Sequence, residues 1–237
     1  MITFDFSRFS IKPGIRILDI GCGSGRHMGE AVCHSGTIAV GTDINPADLA
    51  QARIRLHDLK KMGFAKGTWH VAAADITRLP FADEYFDLVI CSEVLEHIPN
   101  HHRAVEEAVR VLKPGGNIGI SVPRYFPEKI CWFLSKTYRN SAGGHIRIYK
   151  KKELVPLLER AGLRLWRTSF AHSLHTPWWW LKCLVGTDQK DSVLVNLYHR
   201  FLVWDLMQHP DITRLADRLL NPIMGKSLVL YLRKMGD

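Results

Sequence analysis

Long apolar runs are missing from this 237-residue chain. Its most apolar stretch, HTPWWWLKCLVG (175–186), is broken by Lys182, so no bilayer-spanning helix is expected. The opening MITFDFSRFS has no basic segment running into an apolar one, which argues against a secretory signal. Cysteine is sparse. Cys22, Cys33, Cys91, Cys131 and Cys183 are odd in number and lack metal-ligand spacing, so free thiols in a reducing cytoplasm are expected. Internal repeats and low-complexity tracts are absent. Net charge is missing from one half only: residues 1–125 hold 14 Lys+Arg and 14 Asp+Glu, whereas 126–237 hold 18 and 9. All of the +9 excess therefore lies in the back half, which fits either an anionic partner or surface, or a plain solvated face.

What is present is an alternation of β-branched runs with helical patterns. Strands are predicted at 15–20, 37–43, 68–75, 86–92, 117–123, 163–170 and 227–235. Leu49, Ala52, Leu56 and Leu59 mark a helix opened by Asn45-Pro46. Val105, Ala108, Val109 and Leu112 mark another, ended by Lys113-Pro114-Gly115-Gly116. Leu154, Leu157, Leu158 and Ala161 mark a third, stopped by Gly162. This order predicts an α/β fold: a doubly wound, mostly parallel, seven-stranded Rossmann-like sheet. About 55 residues separate the last two strands, too many for a plain connection. They predict a helical insertion at 171–225, leaving 1–170 plus 226–237 as the main domain.

The strongest motif is ILDIGCGSGR (17–26), a strand that turns through Gly21, Gly23 and Gly25 into a helix. Glycines let a ligand approach the backbone, and the helix start offers free N–H groups. A dinucleotide site would need a third glycine where Arg26 stands. Asp19 would also repel a pyrophosphate, but it would attract the cationic amino acid end of S-adenosylmethionine.

From here the sequence resembles the class I S-adenosylmethionine-dependent methyltransferases, in their broad small-molecule group, over residues 14 to about 170. Further stretches follow in the family's order: GTDINP around Asp43, AAADITRLPF (72–81), FDLVICSEVLEHIPN (86–100) and then VLKPGG. The resemblance implies S-adenosylmethionine as cofactor, held by Asp19, Gly21, Cys22, Gly23, Gly25, Asp43, Ile44, Asp75, Ile76, Ser92 and Glu93. Asp43 would take the ribose hydroxyls, with Ile44 beside the adenine. Asp75 would meet the adenine amino group, and Ile76 would pack on the ring. Each residue also has a plainer role: a tight turn at the glycines, a helix-cap acid at 43, a turn residue at 75.

Methyl transfer requires an aligned acceptor and, for oxygen or nitrogen, a place for its proton. The candidates lie in SEVLEH (92–97). His97 suits a general base, with His145 of GGHIRIY second, although His97 could equally support the loop. E-x-x-E-H also resembles the magnesium-type motif of ubiquinone-pathway O-methyltransferases and small-RNA 2′-O-methyltransferases. That resemblance would make Glu93, Glu96 and His97, with His145, metal ligands; relatives with the same letters bind no metal. The adenine-N6 tetrad is replaced by CSEV and no Pro-Cys pair occurs, so nucleic acid is disfavoured as acceptor, leaving RNA ribose methylation as one alternative and a non-catalytic cofactor-binding module as another.

Many small-molecule relatives carry a longer helical cap before the first strand, so the acceptor pocket is expected from 124–145 and the insertion. Thr176-Pro177 reads as a helix opening, with Thr176 as cap, and Gly186 as its stop. At about 100° per residue, Trp178, Trp179, Trp180, Leu181, Cys183, Leu184 and Val185 cover nearly the whole circumference. Such a helix is buried or meets something apolar, including a membrane interface. His172 and His175 precede it and can reach an acceptor or serve the turn. The expectation is a cytoplasmic methyltransferase with a small, hydrophobic, anionic or lipid-like acceptor, O-methylation before N- or C-methylation, and peripheral membrane contact as the secondary reading.

Overall fold

The computed structural model describes residues 2–141, 143–187 and 192–236. Strands β1 (Arg16–Ile20), β2 (Ile38–Asp43), β3 (Thr68–Ala73), β4 (Phe86–Ser92), β5 (Leu112–Pro123), β6 (Leu163–Ala171) and β7 (Ser227–Lys234) form one sheet. Its order is β3-β2-β1-β4-β5-β7-β6. The first five run parallel, and β7 lies antiparallel to both β5 and β6. Helices α1 (Arg26–Cys33), α2 (Pro46–Lys61), α3 (His101–Val111), α4 (Tyr125–Leu134), α5 (Lys136–Arg139) and α6 (Lys151–Arg160) connect the strands up to β6. Helices α7 (His175–Val185), α8 (Val193–Gln208) and α9 (Asp211–Met224) fill the span from β6 to β7.

The central strands read as unbroken apolar runs because both faces are covered. Period 2 sorts their residues into two layers. Leu18, Ile20, Val89 and Cys91 pack with Val105 and Ala108 of α3 and Leu154 and Leu158 of α6. Ile17, Leu88 and Ile90 pack with Met28 and Val32 of α1 and Leu49 and Leu56 of α2. The opening segment belongs to the second layer, where Phe4, Phe6 and Phe9 are buried and Phe4 and Phe9 meet the Tyr231 ring. Those few residues close a core rather than a pocket.

Several boundaries shift from expectation. α3 ends at Val111, and Leu112 already pairs with Phe86; 113–116 then bulge before Asn117 pairs with Leu88. The Pro-Gly-Gly run thus interrupts a strand instead of ending a helix. β3 stops at Ala73, short of 75. Asn45 caps α2 as expected, accepting from the Ala47 N–H with Pro46 at the first position.

Candidate active site

The sheet order reverses between β1 and β4. That reversal is the switch point beside which doubly wound sheets bind ligands, at the carboxyl ends of the strands. Gly21 and Gly23 turn the loop after β1 with φ of +65° and +51°. A Cβ on Gly21 would clash with Val94 Cγ2, so the loop after β4 packs directly on this glycine. A Cβ on Gly23 would meet nothing within 4 Å, so the middle of the turn faces open space.

Two carboxylates flank that space. Asp43 Oδ2 accepts the Gly23 N–H at 2.8 Å and its Oδ1 accepts the Asn45 N–H at 2.9 Å, which fixes the side chain and leaves each oxygen a further lone pair. Asp19 is buried, and neither of its oxygens has a hydrogen-bond partner among the described residues. Burial lifts its carboxyl to about 7, against a smaller downward pull from Arg26. A buried, unpaired carboxylate is costly, and a ligand ammonium beside it removes that cost. The pair fits the amino acid and ribose ends of S-adenosylmethionine.

The remaining cofactor candidates are less engaged. Asp75 is exposed and accepts from the Thr77 N–H and hydroxyl, both at 2.8 Å, so the fold uses it as a turn residue with one oxygen to spare. Ile76 is buried in the core, and Ile44 is 74% exposed. Cys22 is buried beneath the loop, and burial pushes its thiol far up, so it packs as an apolar residue. Ser92 lies in a buried polar network that no motif announced. It accepts from Arg26 Nη2 at 3.1 Å and lies 3.0 Å from Ser121 Oγ, which donates to Glu93 Oε1 at 2.8 Å. Thr3 Oγ1 extends the network to His172 Nε2 at 3.2 Å. Glu93 and His172 hold φ of +56° and +68°, strained values for residues with a side chain. Burial, then the Arg26 charge, keeps His172 well below the usual histidine range, so it is neutral.

Past Glu93 the chain makes a tight turn at Leu95–His97, and segment 143–149 docks on it through Ile146 N–H to Glu96 O at 3.0 Å. This docking brings His97 and His145 together, their ring centroids 4.9 Å apart. His97 Nδ1 lies 3.2 Å from Gly144 O and its Nε2 lies 3.8 Å from Glu96 Oε1. Burial and then the His145 charge lower the His97 pKa. Glu96 is fully buried, and neither carboxylate oxygen has a partner among the described residues; burial, then Glu93, raises it well above the carboxylate range. His145 Nδ1 sits 2.6 Å from Glu128 Oε1. Burial alone would raise Glu128, but the His145 hydrogen bond and charge outweigh it and hold that carboxyl low. Glu128 carried no sequence signal, since it arrives from α4. Glu96, His97 and His145 each offer a ligand atom within 4.8 Å of the others. Glu93 stands apart from that trio, turned to Ser121.

Beyond His145 lies the tryptophan helix. Thr176 does not cap it: α7 starts one residue earlier, and the Thr176 hydroxyl donates to Met224 O at 2.7 Å, tying α7 to the end of α9. Gly186 ends it as expected, its N–H reaching Lys182 O at 3.0 Å. Trp178, Trp179 and Trp180 are half-buried. Trp180 Nε1 donates to Pro127 O at 3.1 Å. Trp179 lies 5.6 Å from the Tyr138 ring and takes Lys226 over its face at 4.5 Å. A cavity of about 590 Å³ opens here, lined by Lys136, Tyr138, Ser141, Trp179, Lys182 and Thr187. The Tyr138 hydroxyl donates to Glu128 Oε2 at 3.4 Å and so links cavity and histidine cluster.

Residues 18–120 match the family model described as a methyltransferase domain. Over 144 residues the chain is 33% identical to a sterol 24-C-methyltransferase of Schizosaccharomyces pombe, covering 60% of this chain and 34% of that protein. Over 156 residues it is 30% identical to the ubiquinone biosynthesis O-methyltransferase of Aromatoleum aromaticum, covering 63% and 64%. The chain thus spans about a third of the first relative and under two thirds of the second. A solved S-adenosylmethionine-dependent methyltransferase from Methanosarcina mazei shares the fold with a TM-score of 0.61 at 17% identity, over 96% of this chain and 95% of that one. Residues 18–120 thus match a methyltransferase domain, and the chain as a whole has the fold of a class I S-adenosylmethionine-dependent methyltransferase.

Proposed function

We propose that this protein methylates an oxygen of a small, hydrophobic, anionic acceptor. The observation that carries the proposal is the Glu128–His145–His97 cluster, built on the loop after β4, whose Val94 packs on Gly21. S-adenosylmethionine, when bound, supplies an activated methyl group on its sulfonium carbon for in-line displacement. Asp19 pairs with its ammonium and Asp43 with its ribose. Asp75 and Ile44 meet the adenine over a floor that the buried Ile76 supports, while Gly21, Gly23, Gly25, Ser92 and Glu93 line the space between, with Cys22 packed beneath the loop. His145 donates from Nδ1 to Glu128, which leaves the Nε2 lone pair free to take the acceptor proton. His97 donates from Nδ1 to the Gly144 carbonyl and turns Nε2 toward the buried Glu96.

The acceptor class rests on Lys136, Lys182, Trp179 and Tyr138 around the cavity, and on the basic back half. Sterol and ubiquinone-pathway relatives are consistent with an apolar body. Segment 171–225 serves as the acceptor-side lid. Free thiols at all five cysteines support a cytoplasmic setting.

The test is transfer of labelled methyl to a panel holding hydroxylated aromatic acids, a quinol, a sterol and RNA. An aryl methyl ether product, with kcat falling about 10²-fold in Glu128→Gln, supports the reading. Salt-sensitive RNA methylation overturns it. Tight cofactor binding with no product from any acceptor makes the protein a binding module. A second reading gives Glu96, His97 and His145 a divalent ion, for which the two unpartnered oxygens of Glu96 and the imidazoles are a suitable donor set. Such an ion would polarise the acceptor oxygen. Full activity in excess EDTA removes that reading and leaves the His145 base.

A further inference from the structure

Helix α9 is seated the wrong way round for a soluble domain. An amphipathic helix ordinarily turns its apolar stripe to the core. Here the polar edge faces inward. Thr213 is buried, Asp217 Oδ1 accepts from the Ser173 hydroxyl at 2.7 Å, and Asn221 Oδ1 accepts the Ser173 N–H at 3.0 Å. These residues are spaced by four and form one face. The opposite face holds Ile212, Leu215, Leu219 and Ile223, which are 73%, 54%, 65% and 70% exposed. Helix α8 buries Val195 and Leu202 but also shows an apolar stripe outward: Val193, Leu197, Trp204 and Met207 fall on one side and are exposed, with Arg200 among them.

The charge around these helices selects their partner. Arg124 donates to the carbonyls of Asn221 and Pro222, joining the end of α9 to the start of α4. Helix α4 then exposes Phe126 and Phe133 (62% and 87%) beside Lys129, followed by exposed Lys136 and Arg139; its one acid, Glu128, is buried with His145. Exposed aromatics between cations, next to an outward apolar stripe, match an anionic lipid interface. Among the described residues no helix is long and apolar enough to cross a membrane, so such contact is lateral. A second copy of the chain would bring the same basic patches together, and that repulsion disfavours it.

We infer that the outward faces of α8 and α9, with the Phe126–Arg139 basic patch, dock the protein on an anionic membrane surface. The half-buried tryptophans of α7 are not the anchor, because their rings already pack against α4, α5 and α8 residues.

The experiment is flotation of the full chain with phosphatidylcholine vesicles, with and without phosphatidylserine, with S-adenosylmethionine affinity as the folding control. The expected result is flotation with the anionic vesicles only, weakened by salt. The double variant Leu215→Glu/Leu219→Glu should reduce vesicle affinity about tenfold or more while cofactor affinity stays unchanged. Lys129→Glu/Lys136→Glu should remove the preference for phosphatidylserine. The inference is overturned if the wild-type chain stays with the unbound fraction. It is equally overturned if sedimentation shows a dimer that the α9 variant dissolves, which would assign the stripe to a second copy. Neither readout depends on turnover or on the identity of the acceptor.

Discussion

The two ends of this molecule handle apolar residues in opposite ways. Around β1, β2 and β4, helices α1 and α2 bury Met28, Val32, Leu49 and Leu56 and present polar faces to water. In the segment between β6 and β7, α8 buries Val195 and Leu202, α9 buries Thr213, and both show apolar stripes outward. The first region carries no net charge and the second lies in the half with the whole basic excess. A helix covering a sheet must give its apolar stripe to that sheet. A helix beyond the sheet is held by whatever polar contacts its neighbours offer, and its stripe is free for a partner. Cofactor binding is accordingly proposed for the first region, and acceptor and surface contacts for the second.

Variants can break this division. The largest effect is expected for Asp43→Ala, which removes two backbone hydrogen bonds that shape the glycine loop as well as the proposed ribose contact. Its cofactor affinity should fall on the order of 100-fold, since hydrogen bonds to charged groups contribute about 1.5–3 kcal/mol. Unchanged binding by calorimetry would remove Asp43 from the site. Next is Trp179→Ala in the second region. It should raise the acceptor KM about tenfold through lost cavity wall, with cofactor affinity untouched. Loss of cofactor binding instead would show that the two regions are not separable.

The smallest effect is a pH dependence centred on Asp19. Its carboxyl is raised in the folded, cofactor-free protein to about 7 from an ordinary 3.8. The folded state therefore holds this proton more tightly than the unfolded chain. That stabilising contribution is complete below about pH 4 and is lost as pH rises through about 7. Asp19→Asn should accordingly gain thermal stability relative to wild type as pH rises across this window. Cofactor ammonium prefers the ionised form, so wild-type affinity should rise about threefold between pH 6.5 and 7.5, and the Asn variant should show no such rise. Parallel pH profiles in calorimetry would contradict the pairing.

Much of the front half was legible in sequence. Runs such as FDLVICS and the Asn45-Pro46 cap obey local rules of period and capping, and the G-x-G-x-G turn is a contiguous motif. Other features were hidden for identifiable reasons. Pro114-Gly115-Gly116 reads equally well as a helix stop or as a strand bulge, and pairing with β4 decided for the bulge. Thr176 looked like a cap, but a hydroxyl goes to the strongest acceptor in reach, and the fold brought Met224 O to it. Glu128 and Thr3 joined His145 and Ser92 only through contacts across 17 and 89 positions, which no local pattern encodes.

By itself the sequence determined the alternation of strands and helices, the glycine turn with Asp19 and Asp43, and the basic excess of the back half. These are properties of neighbouring residues or of composition. Only the tertiary structure decided that Glu128 orients His145, that Asp19 and Glu96 are buried with no side-chain hydrogen-bond partner among the described residues, and that the apolar stripe of α9 faces out. The reason is that burial and orientation depend on what lies opposite, and for these residues the opposite element is distant in the chain.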